Sequence, residues 1–224
     1  MSDAFVIGYD PGGNGSHGIA TLRVEAANGG WSPVEMMVME HPTLADVIRW
    51  VGEECTGRMV AVGVDTLTEW SSGHAGWRPA DRWLRCAYPA MILSIKSPNA
   101  LRGSMTVNGA AFLQLLRDRF RADATVVTEA HPKVCYFAMR GERPKWKDDR
   151  EKMARWLIEE LGVGSPEQIR IEEDHRFDAA MAALAALRGL NGAWTLDLHA
   201  LDGEDTSGRV RFCGATHYWW PSSG

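Results

Sequence analysis

The chain has 224 residues, of which 45% are apolar and 24% charged, with a formal net charge of −5 and a pI near 5.8. That length suits one generous domain with a sizeable core. The acidic balance excludes a protein that coats nucleic acid through bulk positive charge, while leaving room for a local basic groove. No apolar run approaches the roughly 18–20 residues a bilayer span needs, and the start MSDAFVIGYD has neither a basic leader nor a small-residue cleavage site. Cys55, Cys86, Cys135 and Cys213 form no CxxC pair. The expectation is a cytoplasmic protein with reduced thiols, no zinc site and no membrane partner.

In chain order, residues 4–10 are apolar and stop at Asp10-Pro11-Gly12, which predicts a buried strand. Strands over 17–25 and 33–40 follow, joined through Gly- and Asn-Gly-rich stretches that supply positive φ for tight hairpins. Leu44, Val47, Ile48 and Val51 share one helical face behind Thr43, a helix-capping residue. Residues 58–67 form another buried strand, carrying Asp65 near its end. Helices are expected over 78–88 and 108–120, a strand over 124–132 reaching Glu129, and helices over 148–162 and 175–190. The last helix, HRFDAAMAALAALRGL, is rich enough in Ala and Leu to be buried. The fold class is therefore α/β, with a mixed five-stranded sheet in the order β-β-β-α-β-α-β-α and helices on both faces. The expectation is a single domain over residues 1–224, with 191–224 as a strand or hairpin extension.

Asp10, Asp65 and Glu129 each lie at or near the carboxyl end of a predicted buried strand, and Asp178 enters the buried helix. Ligand chemistry in open α/β sheets gathers at that edge. Each acid also fits a simpler role: Asp10 a turn, Asp65 or Asp178 a helix cap, Glu129 an ion pair with an arginine. Together they imply convergence, and clustered carboxylates are costly without a cation. Oxygen-only donors suit Mg²⁺ or Mn²⁺, and such a set can hold two ions for phosphodiester hydrolysis.

The stretches GYDPGGNGSHGIA, VGVDT, TEAHP, HRFDAAMAALAA and GATHYWWP carry a resemblance. Their order is similar to the ribonuclease H-like superfamily, the first stretch to its Holliday-junction resolvases. The set most resembles the domain of unknown function 429 family over roughly residues 5–222. The resemblance implies a ribonuclease H-like fold with Asp10, Asp65 and Asp178 as metal-binding acids, Glu129 as an added ligand and His175 as a proton shuttle or water-orienting group. Arg78, Arg82 and Lys96 become candidates for phosphate contacts, and Trp70, Trp77 and Trp83 for base stacking, against a solvated face and core burial as the simpler roles. His131 in TEAHP fits a loop-fixing role as well as a chemical one.

Gly12-Gly13-Asn14-Gly15 lacks the Lys-Ser/Thr of a phosphate loop and is expected to be a hairpin turn. The basic run Arg140–Arg155 is expected to be a solvated helix start. The functional expectation is a metal-dependent nuclease or phosphodiesterase acting on DNA or RNA, with catalytic residues Asp10, Asp65, Glu129, Asp178 and His175. The alternatives are a non-catalytic module on the same fold, and an ATPase-like nucleotide-handling protein. A homodimer is a further expectation, with surface tryptophans at its seam.

Overall fold

The computed structural model describes residues 3–12, 15–71, 76–101, 103–120, 125–164, 169–201, 209–211 and 214–221. Three strands open the chain: β1 (Ala4–Asp10), β2 (His17–Ala27) and β3 (Gly30–His41). β2 and β3 meet through Asn28 (φ 49°) and Gly29 (φ 81°), the paired positive φ of a tight hairpin turn. Helix α1 (Leu44–Glu54) starts at Thr43, whose side chain accepts from the Asp46 amide. Then come β4 (Arg58–Val64), a short β5 (Glu69–Ser71), α2 (Pro79–Ala87), α3 (Gly103–Phe120), β6 (Val126–Glu129), α4 (Pro132–Arg140), α5 (Trp146–Leu161) and α6 (Asp174–Leu190).

The five-stranded sheet has the order β3-β2-β1-β4-β6. β1–β2 and β2–β3 are antiparallel, β1–β4 and β4–β6 parallel. The mixed sheet expected from the hairpins-then-crossovers order is the one found. Side chains alternate along β1: Phe5, Ile7 and Tyr9 join α1 and α3 in one core, while Ala4 and Val6 join α2, α4, α5 and α6 in the other. Both faces are thus covered by helices.

The tail forms β7 (Leu196–Asp197), β8 (Arg209–Arg211) and β9 (Trp219–Trp220). β7 pairs with β9, β8 pairs with β5, and His217 bridges Thr128 at the free side of β6. The described parts of the tail, 191–201, 209–211 and 214–221, are therefore stitched to the edge of the domain at several points. Among the described residues no helix is long and apolar enough to cross a membrane.

Helix α6 is buried at every residue from Phe177 to Leu187, because the sheet covers one side and α4 and α5 the other. It lies unusually deep. A Cβ on Gly8 of β1 would overlap the backbone oxygen of Ala179, and one on Gly63 of β4 the backbone oxygen of Ala182. Gly8 and Gly63 are level with each other in the ladder, so two neighbouring strands lack side chains where the helix crosses. Gly63→Val should therefore push α6 off the sheet, since the overlapping atom is backbone and cannot rotate aside. Urea unfolding should show a loss of about 3 kcal/mol or more, at or beyond the upper end of ordinary overpacking.

Candidate metal centre

Asp10 ends β1, and Asp65 follows β4 directly. Tyr9 is level with Val64, and the Asp65 amide donates to the Tyr9 carbonyl at 2.8 Å. The ladder thus runs one step beyond β4 and sets Asp65 beside Asp10. Asp178 reaches the same point from the second turn of α6, lowered by the close approach of helix and sheet. One carboxylate oxygen from each of the three acids lies within 4.8 Å of the others. That spacing fits oxygens around one cation with bonds of about 2.0–2.6 Å.

The partners of these carboxylates differ. Asp10 Oδ1 accepts from the Gly12 amide at 3.1 Å, and Oδ2 meets His175 Nδ1 at 2.6 Å. Asp10 therefore shapes the Asp-Pro-Gly turn and faces the cluster at once. Asp178 Oδ2 meets Lys133 Nζ at 3.2 Å, whereas its buried Oδ1 has no hydrogen-bond partner among the described residues. A buried carboxylate oxygen without a donor is costly, and here it belongs to the cluster, so the residues fit a cation. Asp65 makes no hydrogen bond or ion pair through its carboxylate among the described residues.

Ionisation follows from this geometry. Burial, then the charges of Asp10 and Asp178, push the Asp65 carboxyl well above the usual range. Burial raises Asp178 to about 7, with Lys133 opposing and Asp10 adding to the shift. The hydrogen bond to Asp10 raises His175 to about 9 against the effect of burial. Asp178 beside it holds the Lys133 ammonium above the usual lysine range. Two cationic groups thus face three acids, leaving one negative charge for a proton or an added cation.

The structure brings Asp10, Asp65, Asp178 and His175 together and leaves Glu129 out. The physical reason is strand parity. Val64 is level with Glu129, and both Val64 and Val127 pack on the α1–α3 side. The position that continues alongside Asp65 is Ala130, whose amide donates to the Val64 carbonyl. One residue of offset turns a side chain to the opposite face. Glu129 instead receives Arg78 Nη2 on Oε1 at 2.6 Å, and Arg78 Nη1 and the Thr68 amide on Oε2 at 2.8 and 2.9 Å. Burial alone would raise its carboxyl; the Arg78 guanidinium overrides this and holds it far below the usual range.

Arg78 is accordingly no phosphate contact. It is 2% exposed and bridges Glu129 to Asp81. Arg82 and Lys96 are exposed. His131 precedes Pro132 at the start of α4, with Nε2 3.2 Å from the Ser94 carbonyl, so it does fix a loop. Trp77 lies under the Arg85 guanidinium and Trp83 packs edge-on against Tyr88, which commits both rings to the protein itself. Residues 13–14 of the glycine-rich turn and 72–75 beyond β5 lie outside the described residues, as does Cys213.

Lys133 is the site residue that the sequence reading missed. Its signal was available: Pro132 occupies the first helical turn of α4, a position proline favours, which would have turned the Pro-flanked loop into a helix start aimed at Asp65.

A family described as “Protein of unknown function (DUF429)” matches residues 18–197. The matched span contains Asp65, His175 and Asp178, with Asp10 just ahead of it. No curated protein matches the sequence.

Two outcomes test the geometry. Glu129→Gln removes one of the two carboxylates paired with the buried Arg78 guanidinium, leaving Asp81, and should cost about 3 kcal/mol in urea unfolding, while calorimetric Mn²⁺ affinity stays at the wild-type level. The second concerns pH. Folded Asp178 holds a proton that the unfolded chain releases near 3.8, so its contribution is full below that value and is lost as pH rises through about 7. In chelator, the melting temperature of Asp178→Asn relative to wild type should therefore climb between about pH 4 and about pH 7 and level off above that. Saturating Mn²⁺ should reverse the order, because the ion needs the ionised acid.

Proposed function

We propose that this chain, which belongs to the DUF429 family, is a divalent-metal-dependent phosphodiesterase with a ribonuclease H-like fold that hydrolyses nucleic-acid backbone bonds. The observation that carries the reading is the meeting of Asp10, Asp65 and Asp178 from three separate elements, with Asp178 Oδ1 buried and unpartnered. The all-oxygen donor set favours Mg²⁺ or Mn²⁺ over softer metals. Such an ion, when bound, polarises a phosphoryl oxygen and makes a coordinated water acidic.

The chain's own residues supply the remainder. Asp65, with no hydrogen-bond donor among the described residues, and the open oxygen of Asp178 would hold the ion together with Asp10. His175 fixes Asp10 through Nδ1 and keeps Nε2 to carry a proton to the leaving oxygen. Lys133, 46% exposed and bonded to Asp178, places a positive charge at the rim where a phosphate would arrive. The five-stranded mixed sheet with hairpins first and a helix crossing its face supports the ribonuclease H-like assignment.

Asp10→Asn keeps the Gly12 and His175 contacts within reach and removes a charge from the cluster. It should melt near the wild-type temperature, bind Mn²⁺ more weakly and lose more than about 100-fold in cleavage rate, beyond the effect typical of residues behind the ligands. An unchanged rate on DNA and RNA would remove the proposal. A crystal soaked in MnCl₂ should show anomalous density between the three aspartates and none at Glu129.

A further inference from the structure

The acidic cluster stands at the junction of two cavities that share Lys133. The larger, about 580 Å³, runs from Asp178 past Trp146. Its Lys133, Lys145 and Lys147 are matched by Asp148, Glu173 and Asp174 as well as Asp178, so it holds no net attraction for an anion. The smaller, about 250 Å³, opens at Asp65 and has a different character. Leu67, Leu101, Met105 and Tyr218 give it apolar walls, and its buried Arg78, Glu129 and Asp81 are already paired with one another. Lys96 is exposed on its lining with no ion pair among the described residues.

His131 adds a directional group. Ser94 O can only accept, so Nε2 carries the hydrogen and Nδ1 is left as the acceptor of a ring that also lines the cavity. The volume is below the roughly 300 Å³ at which pockets for drug-sized ligands begin, and suits one flat heterocycle with its sugar at the mouth. Two of the most exposed apolar side chains in the protein adjoin lining residues in sequence. Leu93, 82% exposed, precedes Ser94, and Val107, 66% exposed, lies two residues after Met105.

We propose that this cavity receives one nucleobase of an unpaired strand, the phosphate next to that base lying at Asp65, so that the protein selects single-stranded or locally melted nucleic acid. The inference rests on the phosphodiesterase reading of the neighbouring acids. A base within a duplex is stacked and paired and must leave the helix to enter such a space. The apolar walls take its faces, His131 Nδ1 its N–H edge, and Lys96 a backbone oxygen. Leu93 and Val107 then meet the neighbouring bases of a strand, a contact that a free mononucleotide would leave unused.

The test compares Mn²⁺-dependent cleavage of a single-stranded oligonucleotide, its duplex, and the same strand with one abasic residue at the cut. The single strand should be cut about tenfold faster or more than either, in line with the worth of one stacked base. Met105→Trp, which fills the cavity, should reproduce the abasic loss on the normal strand and add nothing on the abasic one, with calorimetric Mn²⁺ binding unchanged. Lys96→Ala, a surface change that cannot unfold the chain, should weaken strand binding and flatten its salt dependence. Equal rates on single strand and duplex, or indifference to the abasic residue, would overturn the inference. So would hydrolysis of free nucleotides with the strand left intact. Should wild type bind Mn²⁺ and cut nothing, the phosphodiesterase reading fails first. Anisotropy in chelator then still decides the cavity, by preference for single strand over duplex and its loss in Met105→Trp.

Discussion

The contact between α6 and the sheet is the constraint on which the site depends. A helix packed on a sheet through ordinary side chains stands well clear of it. Here Gly8 and Gly63 remove the side chains beneath the crossing, and Ala179, Ala182 and Ala183 keep the helix side small. The helix settles onto bare backbone, and Asp178, one residue before Ala179, comes down to the level of Asp10 and Asp65. The geometry of the three acids is therefore a consequence of small residues elsewhere. A bulkier residue at Gly63 would alter the site without touching a single carboxylate.

Holding three acids within 4.8 Å in a low-dielectric setting needs compensation, and the structure divides it. His175 pairs with Asp10 and Lys133 with Asp178, whereas Asp65 makes no ion pair among the described residues and feels Lys133 only at longer range. Each compensating cation leaves something open: His175 its second nitrogen, Lys133 nearly half of its surface. This matters because a fully satisfied cluster would be a structural network with no affinity for an ion. The Arg78–Glu129–Asp81 group, a few residues away, is that other kind. Its oxygens and guanidinium nitrogens are paired within the protein, and it gains nothing from a metal.

The sequence made the layout legible because hydrophobic runs ending in acids mark buried strands, and an Ala-rich run marks a buried helix. Strand positions, the hairpins and α6 follow from those patterns. What it could not convey was parity. The run ATVVTEAHP places Glu129 near a strand end, much as Asp65 sits in VGVDT. Only the register, with Val64 level with Glu129, shows that Glu129 stands one position out of step with Asp65 on the ladder. Arg78 was hidden for a related reason. An arginine in a polar stretch looks solvated until its partner, 51 residues on, is known. Lys133 was obscured by treating Pro132 as loop punctuation rather than as the first residue of α4.

The two charge clusters divide the labour of the molecule. Arg78 reaches from the start of α2 to β6 and to the Glu69 carbonyl. Thr68 joins Thr216 and so ties the loop after β4 to the tail. His199 Nδ1 lies against the Thr216 carbonyl, and the Trp219 amide donates to the Thr128 hydroxyl oxygen. Loop, helix and tail are thus fastened around β6 by uncharged hydroxyl and backbone hydrogen bonds and by the Arg78–Glu129 pair, which keeps its charges across the neutral range. The three aspartates beside them could hold a cation without drawing on the groups that fasten the frame. A metal centre built from carboxylates with raised affinity for protons needs such a neighbour, because the same burial that primes it for an ion makes the empty site a strain on the fold.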